Sequence, residues 1–394
     1  MLASNNRRRR LFLNKLSKQP KEETASKEKI TIITSLIGIP TAMAVTNYLA
    51  AMIEGFQKNG IAAKLIACHQ VQVPFTLHPA FNQETLCVSL GYEQSGMELV
   101  RTLLEQREDD TVFTCGLFLN DLTACASMFH TFANRWIAFF LESPYVTYRD
   151  DSERNALFTL ICTSCNGLIV PTSYLKQEWA EKGFPPDRIL VSRVPTLSLL
   201  FPPKNPHHIL RSALYVGNLM HQEVPDLLEI TALVHKVIPD FHLTIIADGT
   251  KERISEVRSL IRQQGLKSNI HLQQPVDIQT IAQLETAADI LLLPRRSGEF
   301  SSAGFPSKLG EYLMSGTPVV CTDTGDISSV ISDKVHAYLV PPDNPPLFAK
   351  AVIEGCMNPD QSATYARQGA NWARSHIDAA LVVKEIVAWA DALS

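Results

Sequence analysis

The stretch that decides the fold is EFSSAGFPSKLGEYLMSGTPVV, residues 299–320. It follows the apolar run Ile290–Leu293, which predicts a parallel strand covered on both faces. Pro306 suits the first turn of a helix, where its missing N–H costs nothing. Gly316 and then Pro318 predict the end of that helix, and the apolar pair after them predicts another strand. The stretch therefore predicts one strand–helix–strand unit with a glycine-bearing loop.

One face of the predicted helix carries polar side chains that point to a ligand. Its apolar residues recur at spacings of three and four, which places Ser307, Lys308 and Glu311 on the opposite face. In open α/β sheets, ligands bind at the carboxyl ends of the strands, and free helix N–H groups there favour phosphate. The alternative is a solvated Lys308–Glu311 pair, which contributes a few tenths of a kcal/mol.

The same stretch resembles the signature of the family 4 (group 1) retaining glycosyltransferases, enzymes with the GT-B fold. The second glutamate of the family's Glu-x7-Glu motif falls on Glu311, which implies that this carboxylate binds the donor's ribose. The first glutamate falls on Ala303 and is missing, and Glu299, four residues earlier, is our candidate to reach the sugar instead. The resemblance assigns the connecting loop to the donor as well: Gly304, Phe305, Pro306 and Ser307.

A second part of the resemblance concerns the donor's diphosphate. The strand Leu214–Val216 leads into Gly217, as in the family's donor-binding domain, and we expect Gly217 to lie beside the donor. Family members follow it with an Arg and a Lys, whereas this sequence has Asn218 and Glu223. A carboxylate there would repel phosphate if it pointed inward. The expected substitutes, each of which is equally consistent with a surface charge, are Arg295, Arg296 and Lys308.

The first half of the chain also reads as alternating strands and helices. The segment Lys29–Thr34 predicts a strand, followed by a loop with Gly38 and an amphipathic helix. The resemblance suggests that Gly38 approaches the donor phosphate or the acceptor; a plain turn is the alternative. Glu142 follows a strand predicted at Ile137–Leu141. Family members place a sugar-contacting His near this point, so Glu142 is either a sugar ligand or a helix-capping carboxylate.

Together these patterns predict an α/β protein with the GT-B fold: two doubly wound, Rossmann-like parallel-sheet domains that face each other across a cleft. We expect the following boundaries: a basic flexible tail at 1–28, an N-terminal acceptor domain at 29–195, a linker at 196–210, a nucleotide-sugar domain at 211–365, and C-terminal helices at 366–394 that pack back on the N-terminal domain.

Composition narrows the class of protein. The chain is 45% hydrophobic and 19% charged, with a net charge of −4 and a pI near 6.3, which argues against a general nucleic-acid binder. The cluster Arg7–Arg10 precedes a short apolar run that lacks the features of a signal peptide or membrane span. Such a tail can contact anionic membrane, solubilise the chain or act as a transit peptide. We expect a cytoplasmic protein, and peripheral membrane contact through this tail stays open as an alternative to a solubilising segment.

Cysteine usage fits the same compartment. The eight cysteines are scattered, many in apolar runs, as expected for buried reduced thiols. Cys162 and Cys165 form a C-x-x-C, but no second pair or histidine spacing completes a zinc site. We interpret them as structural.

The resemblance implies transfer of a sugar, a hexose in our prediction, with retention from a nucleotide-diphosphate sugar, with a UDP-sugar favoured. No Asp-x-Asp motif occurs in the sequence, so we expect no metal and no further cofactor. Glu142 and Glu299 are the candidate catalytic residues, and the acceptor is a glycan, a lipid-linked molecule or a protein. Two alternatives stay open: a non-catalytic GT-B subunit that scaffolds a partner glycosyltransferase, which the losses at Ala303, Asn218 and Glu223 favour, and a GT-B nucleotide-sugar epimerase.

Overall fold

The computed structural model describes residues 29–35, 43–68, 86–88, 101, 111–132, 135–204, 209–219 and 223–393. The basic tail and Gly38 lie outside these residues. The described chain forms two parallel sheets with helices packed against their faces, so the predicted α/β class is confirmed.

The first sheet has seven parallel strands in the order β3-β2-β1-β4-β5-β6-β7. Strand β5 begins two residues before the predicted run because Arg135 already pairs with Thr111 of β4. The short edge strand β7 was not predicted as a separate strand. The strands are β1 (Lys29–Thr34), β2 (Ala62–Ala67), β3 (Leu86–Val88), β4 (Thr111–Cys115), β5 (Arg135–Phe139), β6 (Gly167–Val170) and β7 (Ile189–Val191).

The second sheet has six parallel strands in the order β10-β9-β8-β11-β12-β13. The strand order reverses between β8 and β11, which are neighbours, as it does between β1 and β4 in the first sheet. Ligands of doubly wound sheets bind at the carboxyl ends beside such a reversal. The strands are β8 (Ser212–Asn218), β9 (His242–Asp248), β10 (Ile270–Gln273), β11 (Ile290–Leu293), β12 (Val319–Thr322) and β13 (Tyr338–Val340).

Helices connect the strands and cover both sheets. In the first half they are Met43–Lys58, Leu119–Phe132, Pro144–Thr147, Asp151–Ser164 and Ser173–Glu181, with 3₁₀ turns at Pro186–Arg188 and Ser198–Leu200. In the second half they are Glu223–Val237, Lys251–Gln263, Ile278–Ala287, Glu299–Ala303, Ser307–Met314, Ile327–Val330, Pro345–Met357, Pro359–His376 and Ala379–Ala392. We call Glu299–Ala303 the loop helix, Ser307–Met314 the site helix and Ala379–Ala392 the closing helix. None of the described helices is both long and apolar enough to cross a bilayer.

The closing helix returns the chain to the first sheet. Its buried face, which includes Val382, Val383 and Ile386, joins the core formed by Met43–Lys58 and the first sheet. The preceding helix, Pro359–His376, packs instead on the site helix of the C-terminal domain. The last two helices therefore tie the two domains together.

A glycine permits this closing contact. Gly55 lies in the helix Met43–Lys58, and a Cβ atom there would come within 2.5 Å of the carbonyl oxygen of Ala379 and of a methyl group of Val383. The two helices can therefore approach only while residue 55 has no side chain.

Gly55→Ala is expected to lower the free energy of unfolding by about 1–3 kcal/mol, although alanine is the better helix former, because a backbone carbonyl cannot move aside as a side chain can. Thermal unfolding followed by circular dichroism measures the loss. The matched control is Gly355→Ala, where the nearest atom is the flexible Cδ1 of Ile290 at 3.0 Å. We expect a change below about 1 kcal/mol there, and equal losses would contradict this account.

Candidate functional site

The loop after β11 is held closed by a buried arginine. Arg295 is only 6% exposed, and its guanidinium donates to the carbonyl oxygen of Gly304 at 2.8 Å and to that of Phe300 at 3.4 Å. The guanidinium also lies 5.4 Å from the centre of the Phe300 ring, within range of a cation–π contact. Burial lowers the pKa of Arg295, while the nearby carboxylates of Glu223 and Glu142 act in the opposite direction.

The next arginine is also paired. Arg296 makes two hydrogen bonds to the carboxylate of Asp226, at 2.8 and 2.7 Å, and these bonds raise the pKa of Arg296. Arg295 and Arg296 therefore face different partners, one the loop's own carbonyl oxygens and the other a carboxylate on the helix after β8.

Gly217 lies beneath a tyrosine ring at the end of β8. A Cβ atom at Gly217 would come within 2.4 Å of the Tyr215 hydroxyl, so only glycine accommodates the folded-back ring. That hydroxyl donates to the carboxylate of Glu223 at 2.7 Å. Burial is also the main cause that raises the pKa of Tyr215. Glu223, which replaces an expected lysine, thus has two roles in the structure: it accepts from Tyr215 and supports the charge of Arg295.

The site helix follows the loop directly. It begins at Ser307, so the prediction that Pro306 lies in its first turn was wrong by one residue, and Pro306 is the residue before it. Tyr312 is fully buried, as predicted, and its hydroxyl accepts from the backbone N–H of Val216 at 2.9 Å. This bond fixes the helix against β8. Gly316 follows the helix with a φ of 70°, as its predicted place at the helix end requires.

The polar face of the site helix contains a buried charge cluster. Lys308 donates to the Glu311 carboxylate and, at 3.3 Å, to Glu285 on the neighbouring helix Ile278–Ala287. The exposed fractions of the side chains are 23% for Lys308, 12% for Glu311 and 0% for Glu285. The alternative of a solvated surface pair is therefore wrong, because Glu311 is mostly buried and a third, fully buried side chain completes the cluster.

Sequence reasoning missed Glu285. The residue lies one helical turn after Ile281 and Ala282, on the apolar face of its own helix. A single carboxylate within an apolar stripe is a signal that could have identified it. Burial raises the pKa of Glu285 to about 8, against the opposing effect of Lys308.

Glu311 faces a cleft between the two domains. Ser307 and Glu285 line it from the C-terminal domain, Tyr48 from the helix after β1, and Thr196 from the linker. The enclosed void measures about 20 Å³, which is room for about one water molecule. The predicted crevice exists, and in this conformation it is nearly filled by the protein's own side chains.

A second group of polar residues lies where β5 meets the loop helix. The Ser143 hydroxyl donates to Glu178 at 2.7 Å and lies 3.4 Å from a carboxylate oxygen of Glu299. Glu142 is exposed beside them and acts electrostatically on Arg295. The structure thus brings Glu142 and Glu299 to the same end of the interdomain boundary. Burial is the main cause of the raised pKa of Glu178.

The loop helix itself is docked on the N-terminal domain. Ala303, where the family signature has its first glutamate, is 1% exposed and packs in the core of the N-terminal domain. Its carbonyl oxygen accepts from the Thr172 hydroxyl at 2.7 Å. A Cβ atom at Gly304 would lie 3.8 Å from the backbone oxygen of Leu141, and Phe305 packs against the cores of both domains. The predicted donor loop is therefore a contact between the domains.

The C-x-x-C pair lies away from this boundary. Cys165 is buried, and its pKa is raised to about 12 by that burial. Across the described ranges, no group of three or more His, Cys, Asp or Glu side chains is arranged to hold a metal ion.

Comparison with known proteins shows which family model and which relatives this chain resembles. Residues 211–358 match the family model described as "Glycosyl transferases group 1". A D-inositol 3-phosphate glycosyltransferase of Jonesia denitrificans is 25% identical over 162 residues, which is 40% of this chain and 37% of that protein. Its counterpart in Xylanimonas cellulosilytica is 27% identical over 139 residues, 34% of this chain and 31% of that protein. The match spans about a third of the length of these relatives.

Solved structures resemble the whole chain. Sucrose-phosphate synthase from Thermosynechococcus elongatus has a TM-score of 0.74 at 15% identity, covering 93% of this chain and all of that one. Anabaena HepE in complex with UDP-glucose has a TM-score of 0.71 at 14% identity, and the match covers 93% of this chain and all of that one. The pneumococcal O-GlcNAc transferase GtfA in complex with UDP and GlcNAc has a TM-score of 0.73 at 12% identity, and the match covers 94% of this chain and 99% of that one. The predicted GT-B fold is confirmed.

Arg295→Lys is expected to lower the free energy of unfolding by about 1–3 kcal/mol, because an ammonium group cannot serve both carbonyl oxygens and a buried acceptor loses its donor. Urea denaturation measures the change. Arg296→Lys is the control, since that side chain is 39% exposed and its ion pair is partly solvated. We expect less than about 1 kcal/mol there. Equal losses would show that Arg295 does not hold the loop.

Glu285→Gln is expected to stabilise the protein more at pH 8 than at pH 5. The folded protein keeps the Glu285 proton up to about pH 8, whereas the unfolded chain releases it near the ordinary pKa, about 4.3. Stability due to this group is therefore lost as the pH rises between these values. Glutamine does not titrate and removes that loss. Thermal midpoints of both proteins at the two pH values measure the effect, and a difference that does not change with pH would contradict it.

Proposed function

We propose that this protein, a member of the group 1 glycosyl transferases through its residues 211–358, transfers a glycosyl group, a hexose in our proposal, with retention from a nucleotide-diphosphate sugar. One observation carries the proposal. Glu311 lies at the carboxyl edge of the second sheet and faces the cleft between the domains, where the family resemblance requires a ribose-binding carboxylate. Its carboxylate is paired with the Lys308 ammonium, which holds it in place for hydroxyl groups.

The diphosphate would lie beside the residues that precede the site helix. The backbone N–H groups of Phe305 and Ser307 are suitable donors to phosphate, whereas the N–H of Gly304 already donates to the carbonyl oxygen of Phe300 and Pro306 has none. Arg295 supplies a cation whose hydrogen bonds in this conformation go to uncharged carbonyl oxygens. Exchanging these acceptors for phosphate oxygens would give stronger, charge-assisted bonds. Leaving-group charge would then be stabilised by amides and a guanidinium without a metal.

Binding requires the domains to separate. The void at Glu311 is about 20 Å³, far smaller than a nucleotide. The contacts to be broken include the hydrogen bonds from Thr172 to Ala303 and from the backbone N–H of Ser173 to Asp326. The linker around Thr196 is the connection about which such a motion would occur. Opening and closing around a substrate is common among two-domain enzymes.

The sugar would occupy the end of the cleft near Glu142 and Glu299. Both carboxylates lie beside Arg295 or Ser143, so hydroxyl groups entering there would meet several acceptors. In our proposal these two glutamates replace the carboxylate that is missing at Ala303. Retaining transfer of this kind lets the donor phosphate and the acceptor approach on one face of the sugar, so no separate nucleophile is assigned.

The donor and acceptor classes follow from the relatives as proposals. HepE and GtfA are solved with UDP, so UDP and UDP-glucose are the first donors to test. The curated relatives are named D-inositol 3-phosphate glycosyltransferases, which makes inositol 3-phosphate one acceptor to test beside glycan, lipid-linked and protein acceptors. A cytoplasmic location, membrane contact through the basic tail and a partner transferase subunit belong to the same proposal.

A non-catalytic role is the second candidate, and Ala303 is the observation that favours it. Ala303 occupies the position where the family signature has a sugar-binding glutamate, and it is buried in the core of the N-terminal domain. Glu223 adds a negative charge where the family has a positive one. Hydrolysis of UDP-sugars by the purified protein separates the two roles. If nucleotide sugars neither bind nor hydrolyse, yet a partner's activity depends on this chain, the scaffold role is correct.

Glu311→Ala is expected to weaken UDP binding by about 1–3 kcal/mol, because a charged acceptor for the ribose hydroxyls is removed. Isothermal titration calorimetry measures the affinity, and circular dichroism checks that the variant folds. Glu354→Ala is the matched control, since Glu354 is also paired with a lysine, Lys334, and does not line the cleft. Unchanged UDP affinity in Glu311→Ala would refute the ribose role.

A further inference from the structure

The charge cluster at the cleft contains one more carboxylate than its lysine can neutralise. Lys308 bonds to both Glu285 and Glu311, so three ionised groups would carry a net charge of −1 in a site that is mostly shielded from water. Leaving an uncompensated charge in such surroundings is costly, and the cluster avoids that cost by holding a proton. Glu285, which has no exposed surface, is the group where burial most strongly favours the proton.

Glu285 also has unused hydrogen-bonding capacity at the cleft. One carboxylate oxygen lies 3.3 Å from the Lys308 ammonium, and the other is buried and has no hydrogen-bond partner among the described residues. The residue lines the same cleft as Glu311. A buried polar atom without a partner requires an explanation, and at the wall of a cleft a bound water or a ligand can supply the missing hydrogen bond.

Among the described residues, the other titratable groups near Glu285 are two uncharged tyrosines and Lys204, whose ammonium donates to the carbonyl oxygen of Thr286 at 2.7 Å and whose pKa is lowered by burial to about 8. Tyr312 of the site helix faces the cluster, and Tyr48 lines the cleft from the N-terminal domain. Burial raises the pKa of both tyrosines well above the ordinary value, so neither contributes charge near neutral pH. The ionisation of the cluster is therefore decided among Glu285, Lys308 and Glu311.

We propose that Glu285 is a positioning residue of the nucleotide site: it acts through Lys308 to hold Glu311 toward the cleft, and it takes up a proton when a nucleoside diphosphate binds. This inference rests on the proposed function. The proton comes from solvent and converts the Glu285 carboxylate to a neutral carboxyl group, while Lys308 stays an ammonium. No covalent bond changes.

The direction of the effect follows from charge. Once Glu285 has lost its proton, the cluster carries a net negative charge, and a diphosphate would bring more negative charge beside it, so binding favours the protonated form of Glu285. Below about pH 8 the free protein already carries this proton, and affinity does not depend on it. At higher pH, binding must first recapture the proton, and the dissociation constant rises by up to about tenfold per pH unit.

The test is the affinity for UDP between pH 7 and pH 9.5, with Glu285→Gln measured over the same range as the reference, because the terminal phosphate of UDP still titrates at the lower end of this range and its uracil N3–H at the upper end. For the wild type we expect a constant dissociation constant up to about pH 8 and a rise of about five- to tenfold per unit above it. Calorimetry at pH 9 in two buffers of different ionisation enthalpy should then show uptake of about one proton for each UDP bound. This measurement needs no variant.

Two substitutions distinguish a role of Glu285 in positioning Glu311 from a role in protein stability alone. Glu285→Gln resembles the protonated carboxyl, so it should bind UDP at pH 7.5 within about twofold of the wild type and lose the pH dependence. Glu285→Ala leaves Lys308 without this partner and should weaken binding about tenfold at every pH. Glu354→Gln, a lysine-paired control outside the cleft, should keep the wild-type profile.

The outcomes are distinct. A wild-type affinity for UDP that does not change with pH, or an unchanged slope in Glu285→Gln, would overturn the role of Glu285 and leave the proposed function standing. If UDP binds to the wild type at no pH, both the role of Glu285 and the proposed donor site are wrong.

Discussion

The structure depends on compensation of buried charge at the boundary between two parallel sheets. Both sheets reverse their strand order, and the strands beside these reversals end at the interdomain boundary, so polar groups from separate parts of the chain meet there. Lys308 is the central group, because its ammonium serves Glu311 at the cleft and Glu285 beneath it. Removal of Lys308 would leave both carboxylates without their cation, so the stability of the C-terminal domain depends on the groups that line the cleft.

The same constraint applies where this chain departs from the family signature that it resembles. Glu223 stands where a lysine is expected. It accepts a hydrogen bond from the Tyr215 hydroxyl and interacts electrostatically with the Arg295 guanidinium. Arg296 is held by Asp226. In this conformation both arginines therefore donate to acceptors of the protein itself. A nucleotide sugar that binds as we propose would have to compete with these acceptors. Position 303, where the family signature has a glutamate, holds a buried alanine that packs in a core of the N-terminal domain.

Sequence reasoning predicted the fold well because parallel strands and amphipathic helices leave periodic patterns. It found the unit around the site helix and the strands β8, β11 and β12 of the second sheet. It did not find the short edge strand Ile189–Val191, whose few residues carry little pattern. It also missed Glu285 and the paired state of Arg296, because both depend on side chains that are distant in sequence and meet only after folding. Local sequence patterns reveal the periodicity of helices and strands, but they do not reveal which distant side chains will pair.

The central claim is that the cleft beside Glu311 opens to receive a nucleoside diphosphate. Hydrogen–deuterium exchange measured by mass spectrometry, with and without UDP, tests it most directly, because exchange reports which backbone amides a ligand protects. The account predicts slower exchange in residues 295–312 and in the linker residues 194–201 when UDP is present. Protection confined to other surfaces, such as the exposed face of the helix Pro359–His376, would contradict it.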